Sequence, residues 1–295
     1  MLAWHKLRAV VVTAEGRLNL VWRVLLYLAL YFAAVIGAGE LAYLSNFSYP
    51  FRTTANAVLQ GVGILALTYV WRRFVDQRAW QGMKLPLQGL RSLRQFIWGF
   101  LIMGVLTASP AVIGLLSGWL HFHRVQFTPE IVTSAVTSFI FLLSIGFIEE
   151  LAFRGYLFQN LGERFPVWLA TLLCGVTFGV VHFFFMNFNG QFVILTSAIT
   201  AFFVATRLAT GSLWFAIGAH TVYNWFDAVV DYPSKSTLFR QGESDAFILL
   251  MRFRSTLQDE RLFLSLLFVL AALVITWVYG TDWRTRLEPD GGSKD

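Results

Sequence analysis

Eight apolar runs constrain this chain more than any other feature: residues 18–41, 54–71, 96–119, 131–153, 166–186, 191–208, 211–230 and 262–280. A helix that crosses a bilayer needs roughly 20 apolar residues. In hydrocarbon every backbone N–H and C=O must find a partner within the protein, so a single apolar run of this length can only be a helix. The runs therefore predict an all-α, polytopic membrane helix bundle with about eight transmembrane helices. Composition agrees with this reading. The 295 residues are 57% hydrophobic and 14% charged, whereas a soluble domain carries about 25% charged residues. The 29 Phe and 11 Trp suit lipid-facing and interfacial positions.

The net charge of +6 is better explained by basic loops facing an anionic leaflet than by nucleic acid. Cys174, the one cysteine, excludes an intrachain disulfide and any cysteine-cluster metal site. The first apolar run begins near Leu18, has the length of a span and lacks a small-x-small exit, so it reads as a first transmembrane helix rather than a cleavable signal. With both termini cytoplasmic, the inner segments carry 14 Lys and Arg against 7 in the outer loops. That bias predicts a multi-pass protein of the cell membrane with both ends inside. The stretch from Trp80 to Leu93 mixes Trp, Leu and Lys and reads as a short amphipathic helix along the inner interface. Three parts are expected. Residues 1–130 hold N-terminal helices and a basic inner loop, 131–230 a core that carries acids and histidines within its apolar runs, and 231–295 a polar loop, a last helix and a short tail.

Charged residues inside such runs are costly, and a functional role is the first explanation to weigh. Glu149 and Glu150 end the apolar run 131–148. Arg154 lies four residues after Glu150, so the two share a helix face and can pair. Glu149 points about 100° away and has no basic partner at its own i±3 or i±4. Residues 161–166, LGERFP, read as a turn, with Pro166 suited to a helix start. Glu149 precedes the tip at Phe165 by 16 residues and His182 follows it by 17. At about 1.5 Å per residue both lie roughly 25 Å from the tip, so an antiparallel hairpin brings them to one depth. Phe178 and His182 share a face, and Gly175 with Gly179 lets a neighbouring helix approach closely. His220 and Asn224 share a face of the seventh helix, with Asp227 continuing it.

Each of these residues has a bland reading. Glu150 with Arg154 can be a structural ion pair, a buried His an interhelical donor, Asn224 interhelical glue, and Phe183–Phe185 lipid-facing or core. His121 and His123 are assigned no role. Convergence on three separate helices favours chemistry over the sum of bland readings. A carboxylate in apolar surroundings is suited to take a proton from water. His182 can polarise that water, and His220 with Asn224 can donate to a developing oxyanion. Alternatively His182, His220 and Glu149 could hold a zinc ion that acidifies the water, although no HExxH occurs.

EELAFRG at 149–155, Phe178 with His182, and His220 with Asn224 resemble, in order and spacing, the EExxxR, FxxxH and HxxxN motifs of the CPBP family of intramembrane proteases. That family includes the type II CAAX prenyl endopeptidases, the Rce1-like proteases and bacteriocin-immunity proteins. GSLWFAIGAHTVYN is similar to its bacterial branch. The resemblance covers residues 131–230. It implies an eight-helix bundle and an endopeptidase with Glu149, His182, His220 and Asn224 as catalytic residues and Glu150, Arg154 and Phe178 in support. The implied partners are a membrane-associated or lipidated protein or peptide substrate and the lipid bilayer. Two other readings stand beside it: a non-catalytic membrane scaffold or bacteriocin-immunity protein, and a transporter or proton relay. The last ranks lowest, because the chain shows no inverted repeat or broken half-helix.

Overall fold

A computed structural model describes residues 11–14, 16–48, 51–118, 120–125, 128–182, 190–231, 251–255 and 260–279. Eight helical segments follow in order: α1 Leu20–Leu44, α2 Phe51–Val70, α3 Leu90–Leu116, α4 Pro129–Glu149, α5 Val167–Val181, α6 Gly190–Thr210, α7 Trp214–Val229 and α8 Glu260–Tyr279. Each of the eight apolar runs coincides with one of them, which establishes the all-α membrane bundle. Among the described residues five helices are long and apolar enough to cross a membrane, with α2 extended to Val75 and α4 to Gly162, and α5 and α8 are shorter apolar helices.

Helix α4 does not end at Glu149. It continues as a π-helical stretch, Glu150–Leu157, and a last α-helical turn, Phe158–Gly162. In this stretch the N–H of Phe158 donates to the carbonyl of Phe153, five residues back. Such wide turns are rare and cluster at functional sites. All eight residues of the stretch are buried, so Glu150 and Arg154 lie inside the bundle. Around them α3 packs on α7, α8 on α6, α5 on α6, and α4 on both α2 and α7. The rim is apolar and exposed, as a lipid-facing surface should be: Leu25 and Leu30 on α1, Val58 and Val62 on α2, Val105 on α3, Leu270 and Leu273 on α8.

Small residues set the close crossings. A Cβ on Gly99 of α3 would collide with the Phe215 carbonyl of α7, and one on Gly218 with the Phe96 carbonyl. A Cβ on Gly175 would lie 2.8 Å from the Ser197 Cα of α6, so the expected glycine pair on α5 does face a close neighbour.

Between the helices, β1 Leu120–Val125 pairs antiparallel with β3 Met251–Ser255, which pairs parallel with β2 Val230–Asp231. Backbone groups of chain segments brought together by the bundle satisfy one another there. One expectation needs correction: Trp80–Leu93 is not one amphipathic helix. Trp80–Met83 is a single 3₁₀ turn, Met83 and Leu85 are buried, and α3 starts at Leu90. Bundle groups draw this segment inward. The Leu213 N–H donates to the Lys84 carbonyl at 2.7 Å and the Trp214 indole to the Pro86 carbonyl at 2.7 Å. Phe183–Phe185 and most of the 231–261 connection lie outside the described residues.

Candidate active site

The site forms where the start of the π-helical stretch meets α5, α6 and α7. Glu150 is fully buried, and its Oε1 accepts from Arg154 Nη1 at 2.9 Å and from His220 Nδ1 at 2.8 Å. Arg154 also donates from Nη2 to Thr200 Oγ1 at 2.8 Å, and its guanidinium lies over the rings of Phe178 and Phe203, 4.2 and 5.0 Å from their centroids. A buried guanidinium is tolerable only with its charge compensated this way.

Glu149 is the less buried acid, with its side chain 15% exposed. His182 Nε2 lies 3.7 Å from Glu149 Oε1, and His220 Nε2 lies 3.4 Å from Oε2. The other nitrogen of each ring is already engaged. His182 Nδ1 donates to the Phe178 carbonyl at 2.6 Å, and a carbonyl can only accept. Nδ1 of His220 donates likewise to Glu150. Each ring thus carries a proton on Nδ1 and turns its Nε2 toward the Glu149 carboxylate. Distances of 3.4–3.7 Å are too long for direct hydrogen bonds, and the arrangement suits a donor shared between carboxylate and imidazole.

The hairpin argument from sequence places Glu149 and His182 together, and the structure does the same. Glu150 pairs with Arg154 as the i,i+4 spacing predicts. The sequence reading separates the two acids because adjacent helical residues face apart. The structure joins them through one ring, since the two nitrogens of His220 reach both. That contact needs α7 to approach closely. Gly146, one turn before Glu150, makes room: a Cβ there would stand 3.1 Å from Thr221 Oγ1. A glycine at that spacing was the available signal. Phe178 serves as a ring between Arg154 and His182, 4.5 Å from the latter's centroid. Asn224 is partly exposed, one turn beyond His220, and makes no hydrogen bond among the described residues. Thr200 and Phe203, on α6, were not singled out, because a Thr and a Phe in an apolar helix carry no signal of their own. Among the described residues no group of three or more His, Cys, Asp and Glu side chains is placed to hold a metal ion.

A second polar cluster closes the bundle at the end holding the 163–166 turn. Arg23 Nη2 donates to Glu163 Oε2 at 3.1 Å and its Nη1 lies 3.7 Å from Asp76 Oδ1. Asp76 also accepts from the Tyr156 hydroxyl at 3.1 Å, and Arg72 Nη1 stands 3.6 Å from its Oδ2. Burial pushes the Asp76 carboxyl up, opposed by Arg23 and Arg72. Tyr156, itself in the π-helical stretch, accepts from the Trp71 indole at 2.8 Å and stacks on Tyr27 at 3.8 Å.

Residues 131–226 match the sequence model of the Rce1-like type II CAAX prenyl endopeptidases. The match spans about a third of the chain and contains all three motifs. It bears out the resemblance read from them. No curated protein and no solved structure matches the chain. At family level the match supports a CAAX-type intramembrane endopeptidase acting on a protein substrate. Together with the apolar helices it supports a multi-pass membrane protein.

Proposed function

We propose, from a site lying wholly inside a segment that matches the Rce1-like endopeptidases, that this chain hydrolyses peptide bonds in the tails of membrane-associated or lipidated proteins. Water activated by Glu149 is the nucleophile. The observation that carries the reading is the Glu149 carboxylate faced by two Nε2 atoms whose rings are locked through Nδ1.

A water between these groups donates one hydrogen to Glu149 and the other to an imidazole Nε2, which leaves a lone pair for a peptide carbonyl. Attack forms the C–O bond while Glu149 takes the proton. The carbonyl electrons move onto oxygen, where the Asn224 amide, partly exposed one turn beyond His220, is the donor. Collapse expels the amine, which receives its proton from Glu149, and the carboxyl product forms. Glu150 holds the His220 Nδ1 proton in place, so that Nε2 remains directed at the water. Arg154 pairs with Glu150 at 2.9 Å and so offsets the cost of burying that carboxylate. Both termini lie on the cytoplasmic side in this reading, as the Lys and Arg bias suggests.

The test uses the purified full chain in detergent with a lipidated peptide tail, followed by mass spectrometry. Wild type cuts the peptide and Glu149→Gln does not. Equal cleavage by both would end the proposal. Zinc enters the same experiment. Activity that survives chelation and metal-free preparation favours water activated by the glutamate, and stoichiometric zinc lost together with activity in His182→Ala favours a metal.

A further inference from the structure

Three tyrosines are buried among the described residues, and two of them have their hydroxyls engaged. Tyr27 shares a hydrogen bond with Thr68 at 2.7 Å, and Tyr156 donates to Asp76 and accepts from the Trp71 indole. Tyr31, on α1, is the exception. It is 4% exposed, and its hydroxyl makes no hydrogen bond among the described residues. Nor is that hydroxyl one of the polar atoms sealed inside the bundle. A buried tyrosine normally finds a partner for its hydroxyl, since a phenylalanine would pack there without the cost of an idle donor. The Tyr31 hydroxyl therefore calls for an acceptor that the chain itself does not supply.

The position of Tyr31 indicates which acceptor. Its ring packs edge-on against Phe153, 5.9 Å between centroids, and Phe153 follows Glu149 by one turn. The Glu149 carboxylate is the charge that acts on the Tyr31 hydroxyl, although no hydrogen bond joins the two. Depth follows from the helix ends. Arg23 is bonded to Glu163, and Tyr31 stands eight residues further along α1, about 12 Å from that level. Phe153 precedes Glu163 by ten residues and Glu149 precedes it by fourteen. Tyr31 thus approaches Glu149 from the side nearer the 163–166 turn. Asn224 lies on the other side. Helix α7 starts at the turn end, because Arg207, shortly before it, is bonded to Gln159, and Asn224 is one turn beyond His220. Two donors therefore flank Glu149 along the axis of the bundle. In the proposed step Glu149 and the imidazole Nε2 atoms accept from the water, so donors to the peptide must come from such flanking groups.

We infer that Tyr31 is a substrate-binding residue of this site, whose hydroxyl donates to a backbone carbonyl of the bound peptide beside the scissile bond. This rests on the peptidase reading above. Asn224 serves the carbonyl that is attacked, and Tyr31 holds a neighbouring carbonyl on the turn side of Glu149. The proton stays on the phenol, and no bond is made or broken there. The contact fixes the register of the peptide, so that one peptide bond rather than the next stands over Glu149.

Tyr31→Phe keeps the ring and removes the donor. In the full chain in detergent with the lipidated peptide, KM should rise about three- to tenfold with kcat near wild type, the factor for one hydrogen bond. The unfolding midpoint should stay at or above the wild-type value, because no internal hydrogen bond is lost. Tyr27→Phe is the structural counterpart: it loses the Thr68 partner, so its midpoint falls while KM stays. Thioamides, whose sulfur accepts poorly, replace the peptide carbonyls flanking the scissile bond one at a time. One of them should raise KM for wild type and make no difference to Tyr31→Phe. A further readout needs no cleavage. The uncut peptide should raise the unfolding midpoint of Glu149→Gln protein, and adding Tyr31→Phe should shrink that shift. If wild type cuts nothing and the shift still depends on Tyr31, the peptidase reading fails and the Tyr31 contact stands. Unchanged KM and peptide binding in Tyr31→Phe overturn the contact. So do a wild type indifferent to every thioamide, a loss confined to kcat, and a fall in the midpoint as large as that of Tyr27→Phe.

Discussion

The two polar clusters of this bundle use the same residue types to different ends. Around Asp76, cations and anions meet in pairs and the carboxylate is fully buried among Arg23, Arg72 and Tyr156. Around Glu149, the charges of Glu150 and Arg154 cancel, yet Glu149 is left partly exposed, with two imidazole nitrogens aimed at it. The first arrangement is closed and holds helices together. The second keeps unused capacity at one carboxylate, which is what a reacting site requires. A buried charge therefore does not announce function by itself, and the groups left over after pairing are the informative ones.

The largest effect that would break this contrast is at Glu149. Glu149→Gln keeps shape and removes the base, so the cleavage rate should fall by about a thousandfold, within the range for a positioned general base. Thermal unfolding should change little, because Glu149 has no hydrogen-bond or ion-pair partner closer than 3.4 Å among the described residues. A stability loss as large as the activity loss would make this cluster structural as well. Asn224→Ala should lower kcat by about a hundredfold with an unaltered unfolding midpoint, as expected on removing an oxyanion donor. Steady-state kinetics on the lipidated tail would show it.

Glu150→Gln sharpens the comparison, since Glu150 belongs to both kinds of arrangement. It should reduce cleavage and stability together, by leaving Arg154 uncompensated and loosening His220. Breaking a buried pair costs on the order of 3 kcal/mol, readable in thermal or denaturant unfolding. In the closed cluster, Arg23→Ala should cost about as much stability and leave the rate per folded molecule near wild type. A selective rate loss there would mean that the π-helical stretch transmits the contact through Tyr156. The smallest effect is expected at Gly175→Ala, where the new methyl meets the Ser197 backbone. Overpacking of this kind costs about 1–3 kcal/mol, and activity should follow only through the spacing of α5 and α6.

Much of this was legible in sequence because the relevant physics is local. Apolar run length alone determined the helices, since hydrocarbon leaves the backbone no other partner. The i,i+4 spacing of Glu150 and Arg154 determined their pairing, and equal distances from the 161–166 turn put Glu149 level with His182. Other features required the assembled bundle. His220 joins residues 70 positions apart in the chain, and Arg23 reaches Glu163 across 140. No periodicity records such contacts. The continuation of α4 into a π-helical stretch and the inward turn at Trp80–Met83 are likewise outcomes of packing. The sequence alone determined which elements form and which polar residues each must carry into the interior, because burial and helix geometry act within a run. Only the tertiary structure decided which of those residues cancel one another and which remain free to act. Charge compensation depends on neighbours in space, and the chain specifies these only once its helices have packed.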